Sequence, residues 1–228
     1  MFLKIGHRGA KAYEIENSID SFKKAIELGV NAIELDVRMA KDNSLIISHD
    51  DTLKRLFNHD IKIRDINLKE LKELTHDKVP TLQEALRFID KKVSKILVEI
   101  KEAGYEKRII DEIKKEKLLD NVVLISFHED AISSIKKINP EIETGLIYAR
   151  HKNPIEAAIR LQAKYLVALY RFVHSKDVEK AHKNNLKVIV WTINTPEEAM
   201  EYIKKGVDGI ATDRPDIFEG ISLPSPQR

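Results

Sequence analysis

The sequence contains no cysteine. That absence excludes disulfide bonds, a thiolate nucleophile and any cysteine-ligated zinc. Long apolar runs are missing as well. Stretches such as "VVLI" (122–125) and "LVAL" (166–169) fall far short of the roughly 20 residues that a membrane span needs. Nor does one sign of charge dominate: 39 Lys and Arg face 37 Asp and Glu, a formal net charge of +2. A dedicated nucleic-acid binder would carry a basic face or stripe, so that function is disfavoured. Met1 to Ile5 lead directly into an apolar strand pattern, without the basic and apolar regions of a secretory leader. The expectation is a cytoplasmic protein without a transmembrane segment.

What is present is a core and a great deal of balanced charge. Of the 228 residues, 43% are apolar and 33% charged. That length suits one large domain or two small ones, and α/β barrels reach it as a single domain. High charge without cysteine is also a pattern of thermophilic proteins. Runs such as "IKKEK" (113–117) read as solvated helix faces.

Short apolar runs of strand character alternate with helical periods, which points to βα units around a parallel sheet. The strand candidates are "FLKIG" (2–6), "NAIELDV" (31–37), "SLIIS" (44–48), "KILVEIK" (95–101), "NVVLISF" (121–127), "TGLIYA" (144–149), "YLVALY" (165–170), "KVIVWTI" (187–193) and "GIATD" (209–213). Helices fit between them. Asn17 or Ser18 can cap 19–28, which stops at Gly29, and "TLQE" (81–84) is a capping box after Pro80. Ser175 can start 176–184, and Thr195-Pro196 opens 196–205.

Nine strands are one too many for an eight-stranded barrel. Residues 38–44 leave no room for a helix, but "AKDNS" (40–44) can make a hairpin turn. A turn centred on Asp42-Asn43 sets Asp36 opposite His49, so 44–48 becomes the return arm of a hairpin. The remaining eight strands close a (β/α)8 TIM barrel over 1–228, with an insertion at about 38–80 after the second strand. One echo, "GVNAIELD" (29–36) against "GVDGIATD" (206–213), fits either shared barrel geometry or a remnant of duplication.

Active sites of such barrels lie at the C-terminal ends of the strands. Those ends carry His7 and Arg8 (first strand), Glu34 and Asp36 (second), His49 (hairpin), Glu99 and Lys101 (third), Trp191 (seventh) and Asp213 (eighth). Glu34 and Asp36 are two apart and share a face, as do Glu99 and Lys101. Three converging carboxylates inside a barrel need a positive partner. Oxygen ligands without cysteine suit a hard cation such as Mg²⁺ or Ca²⁺. Acids in an apolar strand can also be salt-bridged structural residues, but the arrival of Glu99 from a second strand favours a site. His7 and His49 together read as an acid/base pair, while Arg8 and Lys101 either neutralise the acids or hold an anionic substrate. Trp191, the only tryptophan, reads as core packing as readily as a member of the site. The other histidines, His59, His76, His128, His151, His174 and His182, read as solvent-facing. Two imidazoles, a hard metal and two cations describe phosphoryl-transfer chemistry.

The set "GHRGA…ENSIDSFKKAIELGVNAIELDV…HDDTLKR…PTLQEAL…LVEIK…ISF…WTIN…GVDGIATDRPD" resembles the glycerophosphodiester phosphodiesterases, in order and nearly end to end. The resemblance implies a phosphodiesterase barrel with a small insertion after strand two. It implies metal-dependent hydrolysis of a glycerophosphodiester to sn-glycerol 3-phosphate and an alcohol. It also implies the roles. Glu34, Asp36 and Glu99 match the metal carboxylates, with Mg²⁺ first and Ca²⁺ or Mn²⁺ as alternatives. His7 and His49 match the acid/base pair, Arg8 and Lys101 the phosphate contacts, and Trp191 lies along the glycerol carbons. Glu16 and Asn17 match an "EN" pair that supports His7 and Arg8. The implied route has the substrate's glycerol 2-hydroxyl attack phosphorus, giving a cyclic 1,2-phosphate that water then opens. Three places depart from the family pattern: Ile15 stands for a proline, "KDN" (41–43) for Lys-Asp-Gly, and Tyr170-Arg171 for the Asn-Pro-His after strand six. The alternatives are a phospholipase D-like hydrolase acting on lysophospholipids with the same site, and a non-catalytic module binding phosphorylated glycerol compounds.

Overall fold

The structure, a computed structural model, describes residues 1–223. Nine strands are present among the described residues: β1 (Leu3–Gly6), β2 (Ala32–Met39), β3 (Leu45–Ile47), β4 (Lys95–Ile100), β5 (Val122–Ser126), β6 (Glu143–Tyr148), β7 (Tyr165–Leu169), β8 (Lys187–Trp191) and β9 (Gly209–Thr212). Eight of them are parallel neighbours in the order β1-β9-β8-β7-β6-β5-β4-β2, and β1 pairs with β2 to close the ring. This is the TIM barrel expected from the alternation of strand and helix patterns. The odd strand is β3, which pairs antiparallel with β2.

Alternation along the barrel strands divides the apolar residues into two layers. Leu3, Ile5, Leu97, Val123, Ile125, Ile147, Val167 and Ile189 pack together within the barrel. Ile33, Leu35, Val98 and Ile100 turn outward, against the helix layer of α1 (Ile19–Glu27), α4 (Leu82–Ile89) and α5 (Glu106–Lys115). The polar residues of β2 and β4 therefore have one direction available, the barrel lumen. Residue spacing alone puts Glu34, Asp36 and Glu99 there.

Helix ends follow the local chemistry. The Ser18 hydroxyl accepts from Ser21 N at 3.1 Å and caps α1, which leaves the Asn17 side chain free for another use. Thr81 and Glu84 make a reciprocal capping box on α4, and Thr195 accepts from Glu198 N at the start of α9 (Pro196–Lys204). The helix expected from 176 begins one residue earlier, as α8 (Ser175–Lys183), with Asp177 accepting from His174 N at 3.0 Å.

The hairpin departs from its expected register by one residue. Val37 faces Ile47 and Met39 faces Leu45, so Asp36 lies opposite Ser48 rather than His49, with Ser48 N donating to Asp36 O at 2.9 Å. The cause is the loop. Three residues, 41–43, make the turn, closed by Asn43 in the left-handed region at φ 63°, where a two-residue turn was expected. His49 thus lies just beyond the ladder instead of within it. From there the chain runs through α2 (Lys54–Phe57) and α3 (Leu68–Leu74) before returning to α4. This excursion packs its own apolar cluster of Ala40, Ile46, Leu53, Ile63, Ile66, Leu71 and Val79. Among the described residues no helix is long and apolar enough to cross a membrane.

Candidate active site

The turn after β1 explains the sequence His7-Arg8-Gly9. Arg8 adopts φ 55° and Gly9 φ 82°, both left-handed, so the chain reverses within two residues. A β-carbon on Gly9 would lie 2.4 Å from Ser21 Oγ and 2.6 Å from the Ser21 carbonyl carbon of α1. Only glycine fits so close to that helix. The reversal aims Arg8 N at the lumen, where it donates to Glu34 Oε2 at 2.8 Å. Asn17, also left-handed at φ 58°, donates through Nδ2 to Asp36 Oδ2 at 2.8 Å.

Glu34, Asp36 and Glu99 are all buried, and one carboxylate oxygen from each lies within 4.8 Å of the other two. The β2–β4 register sets Asp36 directly beside Glu99. At such a separation each like-charged pair costs about 3–4 kcal/mol at an effective dielectric of about 20. Two cations answer three acids. Lys101 Nζ lies 2.6 Å from Glu99 Oε1 and 3.4 Å from Asp36 Oδ1, and Arg8 Nε lies 3.2 Å from Asp36 Oδ2.

The deficit shows in the proton affinities. Burial, then Asp36 and Glu99, push the Glu34 carboxyl well above its usual range. Burial, with Asp36 beside it, pushes Glu99 up to about 7 against the opposing pull of Lys101. Burial would raise Asp36 too, but Lys101 and Arg8 hold it below the ordinary value. Glu34 Oε1 and Asp36 Oδ1 are buried with no hydrogen-bond donor. Orphaned, converging, hard oxygen atoms with one uncompensated negative charge fit a divalent cation.

Each histidine carries a carboxylate on the same ring nitrogen. His7 Nδ1 donates to Asp213 Oδ1 at 2.6 Å, and His49 Nδ1 donates to Asp50 Oδ1 at 2.7 Å. A carboxylate on Nδ1 fixes that tautomer and leaves Nε2 to accept or deliver a proton. Asp213 is itself held by Asn194 Nδ2 at 3.2 Å, with Lys11 Nζ 3.9 Å away. The backbone of His49 is gripped by Arg38 of β2, whose Nε and Nη2 donate to His49 O at 2.9 and 2.8 Å. Burial lowers the His49 imidazole below its ordinary value, opposed by the nearby negative charge of Asp36.

These groups meet at one cavity of about 130 Å³, lined by His7, Arg8, Glu34, His49, Glu99, Lys101, Phe127 and Trp191 above the apolar barrel interior. Of the residues expected from sequence, Asp36 is fully buried behind this wall, Asn17 holds Asp36, and Glu16 accepts from Arg8 Nη1 at 2.9 Å. Trp191 touches both the barrel interior and the cavity. It packs on the barrel interior, with Nε1 donating to Val167 O, and it presents a wall to the cavity, edge-on to Phe127. A larger cavity of about 330 Å³, between Tyr148 and Lys180, contains none of the expected residues. His76, His128, His151, His174 and His182 are exposed and His59 is half-buried.

Sequence reasoning gave no role to Asp50, Arg38, Arg55 or Asn194, and named Asp213 only as a strand end. Asp50 adjoins His49, and Arg55 closes the quoted "HDDTLKR", so those two had a signal. Asn194 likewise closes the quoted "WTIN", whereas Arg38 had no signal, because its contact with His49 depends on the hairpin.

A model of the glycerophosphoryl diester phosphodiesterase family matches residues 7–217. The chain belongs to that family. It is 34% identical, over 95% of its length and 96% of the relative's, to a glycerophosphodiester phosphodiesterase of Caldanaerobacter subterraneus subsp. tengcongensis. Among solved structures, it resembles a glycerophosphodiester phosphodiesterase from Thermotoga maritima with a TM-score of 0.83 at 33% identity, covering 96% of this chain and 97% of that one. A phosphodiesterase of Oleispira antarctica, in complex with the product sn-glycerol-3-phosphate, matches with a TM-score of 0.83 at 27% identity, covering 93% of each chain. For a member of this family, a cavity that sets two fixed imidazoles and two cations against a cluster of three acids, Asp36 lying behind its wall, is the candidate active site.

Proposed function

We propose that the chain hydrolyses glycerophosphodiesters to sn-glycerol 3-phosphate and an alcohol, using His7 and His49 as its acid/base pair and one divalent cation, Mg²⁺ foremost. The observation that carries this reading is the pairing of His7 with Asp213 and of His49 with Asp50 at the rim of the same cavity as the acid cluster. The product bound by the Oleispira antarctica enzyme supports the substrate class.

Glu34, Asp36 and Glu99 would hold the cation. When bound, it would neutralise the excess negative charge and stabilise the charge that develops on phosphate oxygens. Arg8 and Lys101, positive and largely buried beside the acids, orient the phosphodiester. Trp191, which lines the cavity, would lie along the glycerol carbons. In the first step one imidazole Nε2 takes the proton of the glycerol 2-hydroxyl, whose oxygen bonds to phosphorus. The bond to the alcohol oxygen breaks, and the second imidazolium gives that oxygen its proton. In the second step water adds to phosphorus and the cyclic phosphate opens, with the two imidazoles exchanging roles. Each proton transfer is worth about 10²–10⁴ in rate, and the intramolecular nucleophile supplies proximity at no cost in binding.

The test is a panel of glycerophosphodiesters differing in alcohol, each assayed with several divalent metals beside a lysophospholipid. Release of glycerol 3-phosphate is expected, with a loss of at least about 10²-fold in kcat for His7→Ala and abolition by EDTA. Unchanged turnover after both treatments would overturn the reading. Preference for the lysophospholipid would move the substrate to that alternative, which the small cavity does not favour.

A further inference from the structure

A single guanidinium ties the two arms of the site together. Arg55 lies on α2, in the excursion that follows the hairpin, and does not line the catalytic cavity. Its Nη2 and Nη1 donate to Glu16 Oε1 and Oε2 at 2.6 and 3.0 Å, and its Nε donates to Asp50 Oδ2 at 2.6 Å. Behind each carboxylate stands a group of the site. Glu16 Oε1 also accepts from Arg8 Nη1 at 2.9 Å, and Asp50 Oδ1 accepts from His49 Nδ1 at 2.7 Å. The chain Arg8–Glu16–Arg55–Asp50–His49 is therefore continuous. We propose that Arg55 is a positioning residue that fixes the phosphate-facing Arg8 and the acid/base His49 relative to each other. The inference rests on the hydrolytic reading above.

Two features separate this arrangement from an ordinary surface ion pair, which is worth little. The Glu16 side chain is only 3% exposed, so without Arg55 its Oε2 would lose its hydrogen-bond donor in a place water barely reaches. Every nitrogen of Arg55 is also engaged, and a planar fork spanning two carboxylates transmits orientation as well as charge. Lysine can supply the charge but not the fork. Arg55 also joins two loops distant in sequence, the turn after β1 and the segment after β3, so the excursion contributes order to a site it does not enter.

The experiment compares Arg55→Ala, Arg55→Lys and the exposed-neighbour control Lys54→Ala in steady-state turnover of a glycerophosphodiester, alongside nitrogen NMR of the His49 imidazole. Misplacement of reacting groups by about an ångström costs on the order of 10²-fold. Arg55→Ala is expected to lower kcat by about that factor, Arg55→Lys to fall between it and the wild type, and Lys54→Ala to stay within twofold. Methylguanidinium in solution should restore Arg55→Ala at least fivefold. The His49 ring nitrogens should report a fixed Nδ1–H tautomer in the wild type and an averaged one in Arg55→Ala. That readout needs no turnover, so it tests the inference even if the wild type were inactive, a result that would count against the hydrolytic reading instead. Arg55→Ala with kcat within threefold of the wild type, or an unchanged His49 tautomer, overturns the proposal. A lower melting temperature in Arg55→Ala with no rescue by methylguanidinium overturns it as well.

Discussion

Gly9 has no room for a side chain, and the left-handed reversal it makes with Arg8 aims Arg8 N at Glu34. Gly9→Ala is expected to lose about 2–4 kcal/mol, from the left-handed backbone and the clash with Ser21 together, and to lower kcat/KM as the turn shifts. Thermal unfolding and initial rates check it. Asp50 is the second telling residue. Partial burial opposes ionisation, but Arg55 and His49 hold its carboxyl down at about 2. Its contribution to stability is therefore present above about pH 4 and lost as pH falls through about 2. With the side chain 28% exposed, solvent screening leaves on the order of 1 kcal/mol. Asp50→Asn should be less stable than the wild type by about that amount at pH 6, with the difference shrinking from about pH 4 downward and gone near about pH 1, read by denaturant titration across that range. The candidate-site residues were legible in the sequence because they fall at strand ends, with Glu34 and Asp36, and Glu99 and Lys101, two apart. Arg38 was not, since it reaches the His49 carbonyl only through a hairpin whose register depends on one loop residue.

At the level of elements, strand and helix patterns placed all nine strands and the capped helices close to where they lie, because burial on two faces imposes a distinct pattern on each barrel strand. The hairpin register differs from the expected one by one residue. A two-residue turn and a three-residue turn fit "AKDNS" equally well on sequence, and the choice rests on Asn43 accepting φ 63°. Asparagine tolerates that region better than most residues, while alanine pays for it. Asn43→Ala should cost about 1 kcal/mol in thermal or chemical unfolding, whereas Asn43→Gly should cost less than half of that. Loss of His49-dependent turnover in Asn43→Ala would further tie the turn to the position of His49. Between β3 and α4, the excursion buries its own small apolar cluster, and it is from this part of the chain that Arg55 reaches back to Glu16.

For the whole molecule, closure of the ring between β1 and β2 is what converts scattered residues into a site. His7 and Asp213 are 206 residues apart in sequence, yet hydrogen-bonded, because β1 and β9 are neighbours. The barrel also places three acids in its lumen against two cations, a balance that leaves Glu34 holding a proton or sharing a metal. The order of elements foretold this convergence, since eight parallel strands have only one way to close with right-handed crossovers. The charge deficit lies beyond the sequence, because it depends on the distances that commit Lys101 and Arg8 both to Asp36. The most direct measurement is anomalous diffraction from a crystal of the protein equilibrated with Mn²⁺. One strong peak per chain, at about 2.0–2.6 Å from carboxylate oxygens of Glu34, Asp36 and Glu99, is the predicted result. A crystal whose manganese peak touches none of those three side chains, or that shows no peak at saturating metal, would contradict the account.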